Sequence, residues 1–151
     1  MKITIKEYTA KRIDDVLDFE RRLRQEEDFW GWEINDEYLK NVTESFSNSL
    51  FLASMSLLAY DGDKVVGRID AILLPSHFDG SVKAYLDWIC VLKSCRHNGI
   101  AQKMLNELKK RLKKKGVDTL IALTASNEEA QRFYHSIPNS EMKDTGIWIS
   151  I

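Results

Sequence analysis

Apolar and polar residues follow two different periods along the chain, and these periods predict its strands and helices. Apolar side chains that recur every three or four residues indicate amphipathic helices, whereas alternating or continuous apolar runs indicate strands. In chain order, the predicted elements are a strand over 3–8, helices over 11–25 and 36–46, strands over 50–60, 64–74 and 82–92, a helix over 100–115, a strand over 120–124, a helix over 127–137 and a last strand over 147–151.

The signals between these elements indicate how the predicted strands pair. Asp61-Gly62-Asp63 separates two strands and is typical of a hairpin turn, so that pair is expected to be antiparallel. Strands joined through a helix favour parallel pairing instead. Asn35 marks a helix start, Gly116 marks a helix end, and Ser126 has the S-x-x-E spacing of a capping box. The order β-α-α-β-β-β-α-β-α-β therefore predicts an α/β (α+β) fold, with a mixed central sheet flanked by helices on both faces.

Composition narrows the class of protein. At 151 residues, with 44% apolar and 30% charged residues, the chain is expected to form one soluble domain over 1–151. A formal net charge of -1 gives no general nucleic-acid footprint, and no apolar run approaches the roughly 20 residues that span a bilayer. The strand-like N-terminus lacks a signal-peptide core, and Cys90 and Cys95 give no disulfide framework. We therefore expect a cytoplasmic protein that binds neither nucleic acid nor membrane.

The stretch 96–101, with the sequence RHNGIA, lies between a predicted buried strand and a predicted helix. The N–H groups at a helix N-terminus lack intrahelical partners and favour an anion, so such a turn can hold a phosphate. Gly99 would let a phosphate oxygen approach the main chain, and Arg96 would add a positive charge. A glycine before a helix is also common without any ligand. The chain contains neither G-x-x-x-x-G-K-[ST] nor G-x-G-x-x-G.

The segment from Val91 to Ala101 resembles motif A of the GNAT superfamily of N-acetyltransferases, V-x-x-x-x-[RQ]-x-x-G-x-[GA]. Arg96, Gly99 and Ala101 fill its three defining positions. In that family the loop grips the pyrophosphate of acetyl-coenzyme A, so the resemblance implies acetyl-coenzyme A as a co-substrate. The loop residues that it assigns to the cofactor are Arg96, His97, Asn98, Gly99, Ile100 and Ala101.

A second resemblance covers the start of the last predicted helix. Asn127, Ala130, Phe133 and Tyr134 are similar to motif B of the same family, N-x-x-A-x-x-[FL]-Y. There the asparagine contacts the pantetheine arm and the tyrosine hydroxyl lies near the sulfur. The resemblance thus implies that Asn127 and Tyr134 bind the cofactor, and that Tyr134 protonates the leaving thiolate. Taken alone, Tyr134 is more often a core aromatic and Asn127 a helix cap, whereas the two motifs in register favour function. The family usually follows the tyrosine with Gly-Phe, but this chain has Pro138 and an asparagine there.

The resemblance also implies a role for the strand before motif A. In the family this strand splays from its neighbour at a bulge, its free main-chain groups pair with pantetheine amides, and one N–H polarises the thioester carbonyl. We expect the bulge between Trp88 and Val91, and we assign Cys90 and Val91 to the cofactor site. A nucleophilic Cys90 that carries the acyl group is disfavoured, because an apolar strand raises the pKa of a thiol and leaves it inert.

Amine acetylation requires a neutral amine, and a lysine-like ammonium with a pKa of about 10.4 is almost fully protonated at neutral pH. A general base, acting directly or through water, would remove the proton. Asp87 is the first candidate because it lies on the strand that splays; Asp70 and Glu33 are weaker ones. A salt bridge at the strand end is an equal alternative for Asp87. The histidines have no second ligand at metal spacing, so we predict no metal.

The acceptor side is predicted from the loop over 26–33. In the family the first two helices and the loop between them line the acceptor cleft, and here that loop carries four acidic residues interleaved with aromatic ones. Carboxylates in a cleft attract cations, and aromatic faces add cation–π attraction. The predicted substrate-binding residues are Glu26, Glu27, Trp30 and Trp32. This favours a small polar or cationic amine, although the acids could instead only solvate a surface loop.

The sequence therefore predicts an enzyme, a GNAT-type N-acetyltransferase. It would transfer the acetyl group of acetyl-coenzyme A to a primary amine by direct attack in a ternary complex. The amine would belong to a small molecule, a peptide or a protein, and a homodimer stays open. Two alternatives remain, a non-catalytic acyl-coenzyme A binding module that senses or regulates, and transfer of a longer acyl group. Motif A does not separate them, whereas Tyr134 and a positioned carboxylate favour the enzyme.

Overall fold

A computed structural model describes residues 1–27 and 32–151 of the chain. In these residues the strands form one five-stranded sheet, and the helices pack against it. Three single turns of 3-10 helix, at Ala10–Arg12, Ser49–Phe51 and Lys93–Cys95, precede α1, β2 and α3. The elements are β1 (Ile3–Glu7), α1 (Ile13–Glu26), α2 (Asp36–Ser45), β2 (Ser54–Asp61), β3 (Lys64–Pro75), β4 (Val82–Val91), α3 (Ile100–Lys114), β5 (Leu120–Ala122) and α4 (Glu128–His135).

The sheet is mixed, as the connections predict. Its strands are ordered β1-β2-β3-β4-β5, and the strands from β1 to β4 pair antiparallel with one another. Asp61 pairs with Lys64 across the hairpin, where Gly62 has a positive φ of 62°. The α3 crossover brings β5 back parallel to β4. The hairpin therefore accounts for the antiparallel pairing, and the helical crossover accounts for the parallel pairing, within one sheet.

Helices cover both faces of the sheet. On one face α3 buries Ile100, Met104, Leu105, Leu108 and Leu112, the residues that its helical spacing places on one side. On the other face α1 buries an apolar stripe that includes Phe19 and Leu23. Alternation along β3 gives each helix its own set of partners, because successive side chains of a strand point to opposite faces.

Gly67 on β3 allows α3 to approach the sheet closely. A Cβ built at Gly67 would lie 3.0 Å from Cε of Met104 and 3.3 Å from both the Cys90 carbonyl oxygen and Cγ2 of Ile100. The first turn of α3 therefore lies directly against β3 and β4. This contact fixes where the N-terminus of α3 stands relative to the end of β4.

The start of β2 differs from the prediction. The apolar run was expected to form a strand from Leu50, but β2 begins at Ser54. The side-chain oxygen of Asn48 accepts a hydrogen bond from the Leu50 N–H at 2.9 Å and starts a single 3-10 turn. Leu50 and Leu52 are 84% and 85% exposed, so apolar composition alone did not place them in the sheet. A local side-chain cap competes here with strand pairing.

The predicted last strand over 147–151 is also wrong, since the structure has no strand after β5 in the residues it describes. Asn139 and Asp144 have positive φ values of 56° and 50°, which turn the chain away from an extended course. The last strand of the sheet, β5, contains only three residues and offers a short edge. Trp148 and Ile149 in the tail are accordingly 79% and 75% exposed.

No helix in residues 1–27 and 32–151 is long and apolar enough to cross a membrane.

Candidate active site

A β-bulge opens the site on β4. Asp70 of β3 pairs with Trp88, but the next residue, Ala71, pairs with Leu86, so Asp87 is the extra residue of β4. Asp87 is exposed. A bulge bends the strand that carries it and strengthens its twist. The bulge therefore lies one residue before the predicted span from Trp88 to Val91.

Beyond the bulge, β4 and β5 part. Their parallel ladder pairs Ala84 with Leu120, Tyr85 with Ile121 and Leu86 with Ala122, and it ends there.

The main-chain groups of β4 that face this gap follow from the pairing on the other side. The Leu92 N–H donates to the Val66 carbonyl at 3.0 Å, so main-chain groups at every second residue before Leu92 also point to β3. The groups of Ile89 and Val91 consequently point into the gap beside β5.

The turn over 96–101 has the geometry of an anion site. His97 and Gly99 both have positive φ, at 62° and 71°, and Gly99 is the N-cap of α3. No side chain of the described residues caps this helix, and the bond from the Lys103 N–H to the Gly99 carbonyl is the first of the helix. The N–H groups of the first turn thus point outward from a positive dipole end. A Cβ at Gly99 would meet nothing within 4 Å, so the space in front of the turn is open.

Arg96 holds the turn from inside rather than standing free beside it. Its Nε donates to the Val91 carbonyl at 3.1 Å, and one terminal nitrogen pairs with Glu129 of α4 at 3.0 Å. The other terminal nitrogen pairs with Glu27 at the end of α1. The guanidinium therefore ties β4, α4 and α1 together, and two carboxylates share its charge.

The neighbouring residues of the turn have structural contacts of their own. The Asn98 side-chain amide donates to the carbonyls of Cys95 and Arg96, at 3.1 and 3.0 Å. The His97 side chain is 84% exposed, with Nε2 3.7 Å from Glu129. Ile100 is buried in the core, and Ala101 packs against it. Except for His97, these side chains are thus engaged within the protein, while the first N–H groups of α3 have no intrahelical partner.

Glu26 supports the same loop from α1. Its carboxylate accepts hydrogen bonds from the Ser94 N–H at 2.9 Å and the Ser94 hydroxyl at 2.7 Å. Desolvation raises the pKa of Glu26, but the hydrogen bonds from Ser94 outweigh it and hold the pKa below its usual value. Glu26 and Glu27, predicted to meet substrate, are therefore engaged with the motif turn. Trp30 and Asp28 lie outside the described residues.

The motif B residues lie on α4, across the gap from β4. Asn127, not Ser126 of the expected capping box, is the N-cap, and its side-chain oxygen accepts from the Ala130 N–H at 2.9 Å. Tyr134 is half-buried, and its ring meets Phe133 edge-on at 5.3 Å. Burial, with a smaller contribution from Tyr85, raises the pKa of Tyr134 above its ordinary value. Its hydroxyl is therefore protonated at neutral pH.

Cys90 is a poor nucleophile. Burial raises the pKa of its thiol to about 12, although the positive charge of Arg96 acts in the opposite direction. Less than one thiol in a thousand would be ionised at pH 7, which disfavours an acyl-carrying role. Its register partner is Arg68, so its side chain lies on the α1 face of the sheet.

A buried charge network lies on that face, and sequence reasoning missed most of it. Glu20 of α1 is 1% exposed and accepts from Arg24 at 2.8 Å and from Arg68 at 3.4 Å. Arg68 also donates to Asp70 at 2.7 and 3.0 Å, and the Ser56 hydroxyl donates to Asp70 at 2.6 Å. The signal for Glu20 was its position, because it falls on the apolar stripe of α1 at helical spacing.

Two tryptophan rings connect this network to a cavity formed by α2 and the segment that precedes it. Arg24 stacks over the Trp32 ring at 5.2 Å and donates to the Trp32 carbonyl at 3.1 Å. The Trp32 ring meets Trp88, next to the bulge, at 5.9 Å. The cavity beside these rings has a volume of about 380 Å³. It is lined by Trp32, Glu33, Asn35, Glu37, Tyr38 and Asn41.

The candidate bases differ in how much of each carboxylate is occupied. Both oxygens of Asp70 accept short hydrogen bonds, from Arg68 and Ser56. Glu33 lines the cavity, and Asp87 stands exposed at the bulge. Within residues 1–27 and 32–151, no three potential metal ligands cluster.

A mixed sheet in which β4 and β5 part after a bulge, next to a helix that begins at a glycine, has the geometry of the GNAT fold. Residues 5–137 match the model of the acetyltransferase (GNAT) family, and the chain belongs to that family. No curated protein matches the chain.

Solved structures of the same fold share little sequence with it. An aminoglycoside acetyltransferase from an uncultured soil metagenomic sample, in complex with trehalose, is 15% identical with a TM-score of 0.82, over 99% of this chain and 96% of that chain. AAC(6′)-Iy, in complex with a bisubstrate analogue, is 17% identical with a TM-score of 0.78, over 100% and 99%. A ribosomal-protein-alanine N-acetyltransferase from Brucella melitensis biovar Abortus 2308 is 15% identical with a TM-score of 0.75, over 99% of both.

Proposed function

We propose that this chain transfers the acetyl group of acetyl-coenzyme A to a primary amine, within a ternary complex of both substrates. The proposal rests on how the turn before α3, the gap beside β4, Asp87 and Tyr134 are arranged relative to one another. The first turn of α3 follows the end of β4, Asp87 is the bulged residue next to the last pair of the β4–β5 ladder, and Tyr134 lines a cavity together with that pair, Leu86 and Ala122. The turn before α3 would thus hold the phosphates, the gap beside β4 would hold the arm of the donor, and Asp87 and Tyr134 would move protons at the far end of that gap.

The residues of the site fit the donor. Main-chain N–H groups at 99–101 would hold the pyrophosphate, in the open space before Gly99. The Ile89 carbonyl and the Val91 N–H would pair with pantetheine amides in the way that a neighbouring strand does. Arg96 positions this loop through Glu27 and Glu129. When bound, acetyl-coenzyme A supplies an activated acetyl thioester.

The chain's own groups would perform three tasks in the reaction. The Ile89 N–H would polarise the thioester carbonyl as a preorganised donor. Asp87, directly or through water, would take a proton from the acceptor ammonium and leave a neutral amine. Tyr134, kept protonated by the burial that raises its pKa, would give a proton to the departing sulfur. The loop and groove also hold both reactants in position, which removes much of the entropic cost of the encounter.

The acceptor would be a small polar or cationic amine. Glu33 and Glu37 line the cavity at α2, together with Trp32 and Tyr38. Carboxylates beside aromatic rings favour a cation over an anion or an apolar molecule. Because Glu26 and Glu27 are bound to Ser94 and the motif turn, the acceptor proposal rests chiefly on Trp32 and Glu33.

Turnover of acetyl-coenzyme A against a panel of amines tests the proposal. The panel contains polyamines, amino sugars and lysine-containing peptides, with carboxylated and apolar amines as controls. We expect amine-dependent release of free thiol, greatest for the cationic amines. Binding of acetyl-coenzyme A without thiol release for any amine would instead favour a binding module that senses or regulates.

A further inference from the structure

A second cavity lies on the opposite side of the sheet from the acceptor cavity. It has a volume of about 650 Å³, within the range of small-ligand sites. Leu86, Ala122 and Tyr134 form its end at the gap between β4 and β5. Its aliphatic lining is completed by Leu105, Leu112, Val117, Leu120 and Ile137.

The strand register explains why these side chains converge. Leu86 pairs with Ala122 and Ala84 pairs with Leu120, and paired residues share a face of the sheet. Leu86 and Ala84 are buried on the face that α3 covers. Leu120 and Ala122 therefore face the cavity, whereas Ile121 between them faces the other way and is 45% exposed.

The cavity begins where the proposed donor would end. Since α3 follows β4 and returns along the same face, its N-terminal turn stands at the Val91 end of β4 and Leu112 stands further back. A pantetheine arm that runs from the turn along Val91 and Ile89 would reach Leu86 and Tyr134 next. The atoms beyond its sulfur would then meet the cavity opening.

From this geometry we infer that the cavity accommodates an unbranched aliphatic acyl chain, so that the enzyme accepts acyl-coenzyme A donors longer than acetyl in addition to acetyl-coenzyme A, and prefers them. The inference rests on the proposed function, because the arm must bind along β4 for the chain to reach the cavity. The thioester's C–S bond would break as a C–N bond forms to the amine. The amine proton would pass to Asp87 or water, and the sulfur would receive the Tyr134 proton.

The charges around the cavity favour a neutral chain. Lys109, Lys110 and Lys113 line one part of it, and Asp118 and Glu141 line another. Cations and anions are thus interspersed around an aliphatic interior. A terminal carboxylate on the acyl chain would meet both signs of charge, whereas methylene groups would gain from leaving water.

The expected increase in affinity can be stated for each methylene group of the acyl chain. Burial of one methylene group corresponds to about a fourfold change in affinity, from roughly 0.8 kcal/mol per group. With partial burial, hexanoyl-coenzyme A should bind the wild-type chain at least about tenfold more tightly than acetyl-coenzyme A. Its kcat/KM with the best amine should rise in the same direction.

Two phenylalanine variants on β5 test the location. Ala122→Phe fills the cavity, and Ile121→Phe, the matched control, places the same side chain on the other face of the same strand. Dissociation constants and kcat/KM are measured for acetyl-, butyryl- and hexanoyl-coenzyme A. We expect the hexanoyl-to-acetyl ratio of kcat/KM to fall tenfold or more in Ala122→Phe, and the same ratio of dissociation constants to rise tenfold or more, whereas both ratios keep their wild-type values in Ile121→Phe. Leu120→Phe replaces Ala122→Phe if the latter unfolds.

The outcomes separate this inference from the proposed function. If acetyl-coenzyme A binds and is turned over, but wild-type affinity stays flat or falls with chain length, the inference is wrong and the proposed function stands. Equal ratios in Ala122→Phe and Ile121→Phe would also overturn it. If no acyl-coenzyme A binds at all, the proposed function fails and the inference fails with it.

Discussion

At the scale of single residues, Tyr134 has the clearest chemical role to test. Tyr134→Phe keeps the ring that packs against Phe133 and removes only the hydroxyl. We expect kcat to fall by roughly 10²-fold or more, the usual contribution of general acid–base catalysis. Affinity for acetyl-coenzyme A should barely change, because the lost interaction matters in the transition state. Tyr60→Phe removes a hydroxyl bound to Asp15 and serves as the control. Equal kcat in both variants would return Tyr134 to a core aromatic.

Glu20 illustrates how a residue can matter for the fold without taking part in chemistry. Glu20→Ala would leave Arg24 and Arg68 facing each other without the buried carboxylate between them. Removing one partner of a buried ion pair costs about 3–5 kcal/mol, so the free energy of unfolding should drop by that amount in a denaturant titration. Asp18→Ala, which removes an exposed pair with Arg22 on the same helix, should cost under about 1 kcal/mol. Similar losses in the two variants would contradict the account of the network.

At the scale of elements, Gly67 determines how closely α3 approaches the sheet. In Gly67→Ala the new methyl group would push on Met104, Ile100 and the Cys90 carbonyl. Overpacking of this kind costs about 1–3 kcal/mol, which corresponds to a Tm lower by at least about 2 °C for a chain of this size. Since the first turn of α3 would shift with the helix, affinity for acetyl-coenzyme A should also fall. An unchanged Tm with unchanged affinity would show that α3 has more room than this packing implies.

Elements with a strong hydrophobic periodicity or a clear turn sequence were predictable from the sequence. Elements that depend on whether an apolar run finds another strand to pair with were not. The helical spacing from Ile100 to Leu112 and the Gly62 hairpin both correspond to observed elements, because each has a local physical cause. The run from Leu50 and the tail over 147–151 are as apolar as true strands. A strand also needs the edge of another strand to pair with. At Leu50 the Asn48 cap holds the chain in a 3-10 turn instead, and beside the tail the three-residue β5 offers only a short edge.

The candidate site was predictable to a similar extent. Motifs in the sequence located the turn at Gly99 and the tyrosine on α4, because glycine conformation and helix spacing are local properties. The bulge at Asp87 depends on how β3 and β4 pair, which sequence alone does not encode locally. Likewise, Ser94 lies more than 30 residues from Glu26, and the carboxylate partners of Arg96 lie as far from it in the chain, so these contacts at the motif turn appeared only in the folded structure.

At the scale of the whole molecule, the two faces of the sheet have different proposed tasks, with the acceptor on the α1 side. Its acidic cavity can be tested with Glu33→Gln combined with Glu37→Gln. We expect kcat/KM for the best cationic amine to fall several-fold, and the wild-type value to decline with added salt, because exposed charges are screened. Glu44→Gln, on the same helix as Glu37 but paired with Lys40, should have no such effect. Insensitivity of the double variant and of the wild type to salt would remove the acidic cavity from acceptor choice.

The turn at Gly99 is the proposed binding site for the phosphates of acetyl-coenzyme A. The most direct measurement is the rise in Tm that acetyl-coenzyme A causes in wild type, Gly99→Val and Gly62→Val. Both glycines have positive φ and open surroundings, so both variants carry the same backbone strain, but only Gly99 lies at the proposed phosphate site. A ligand that binds only the native state raises Tm by mass action. We predict that the rise persists in Gly62→Val and disappears in Gly99→Val; a full rise in Gly99→Val would contradict this assignment.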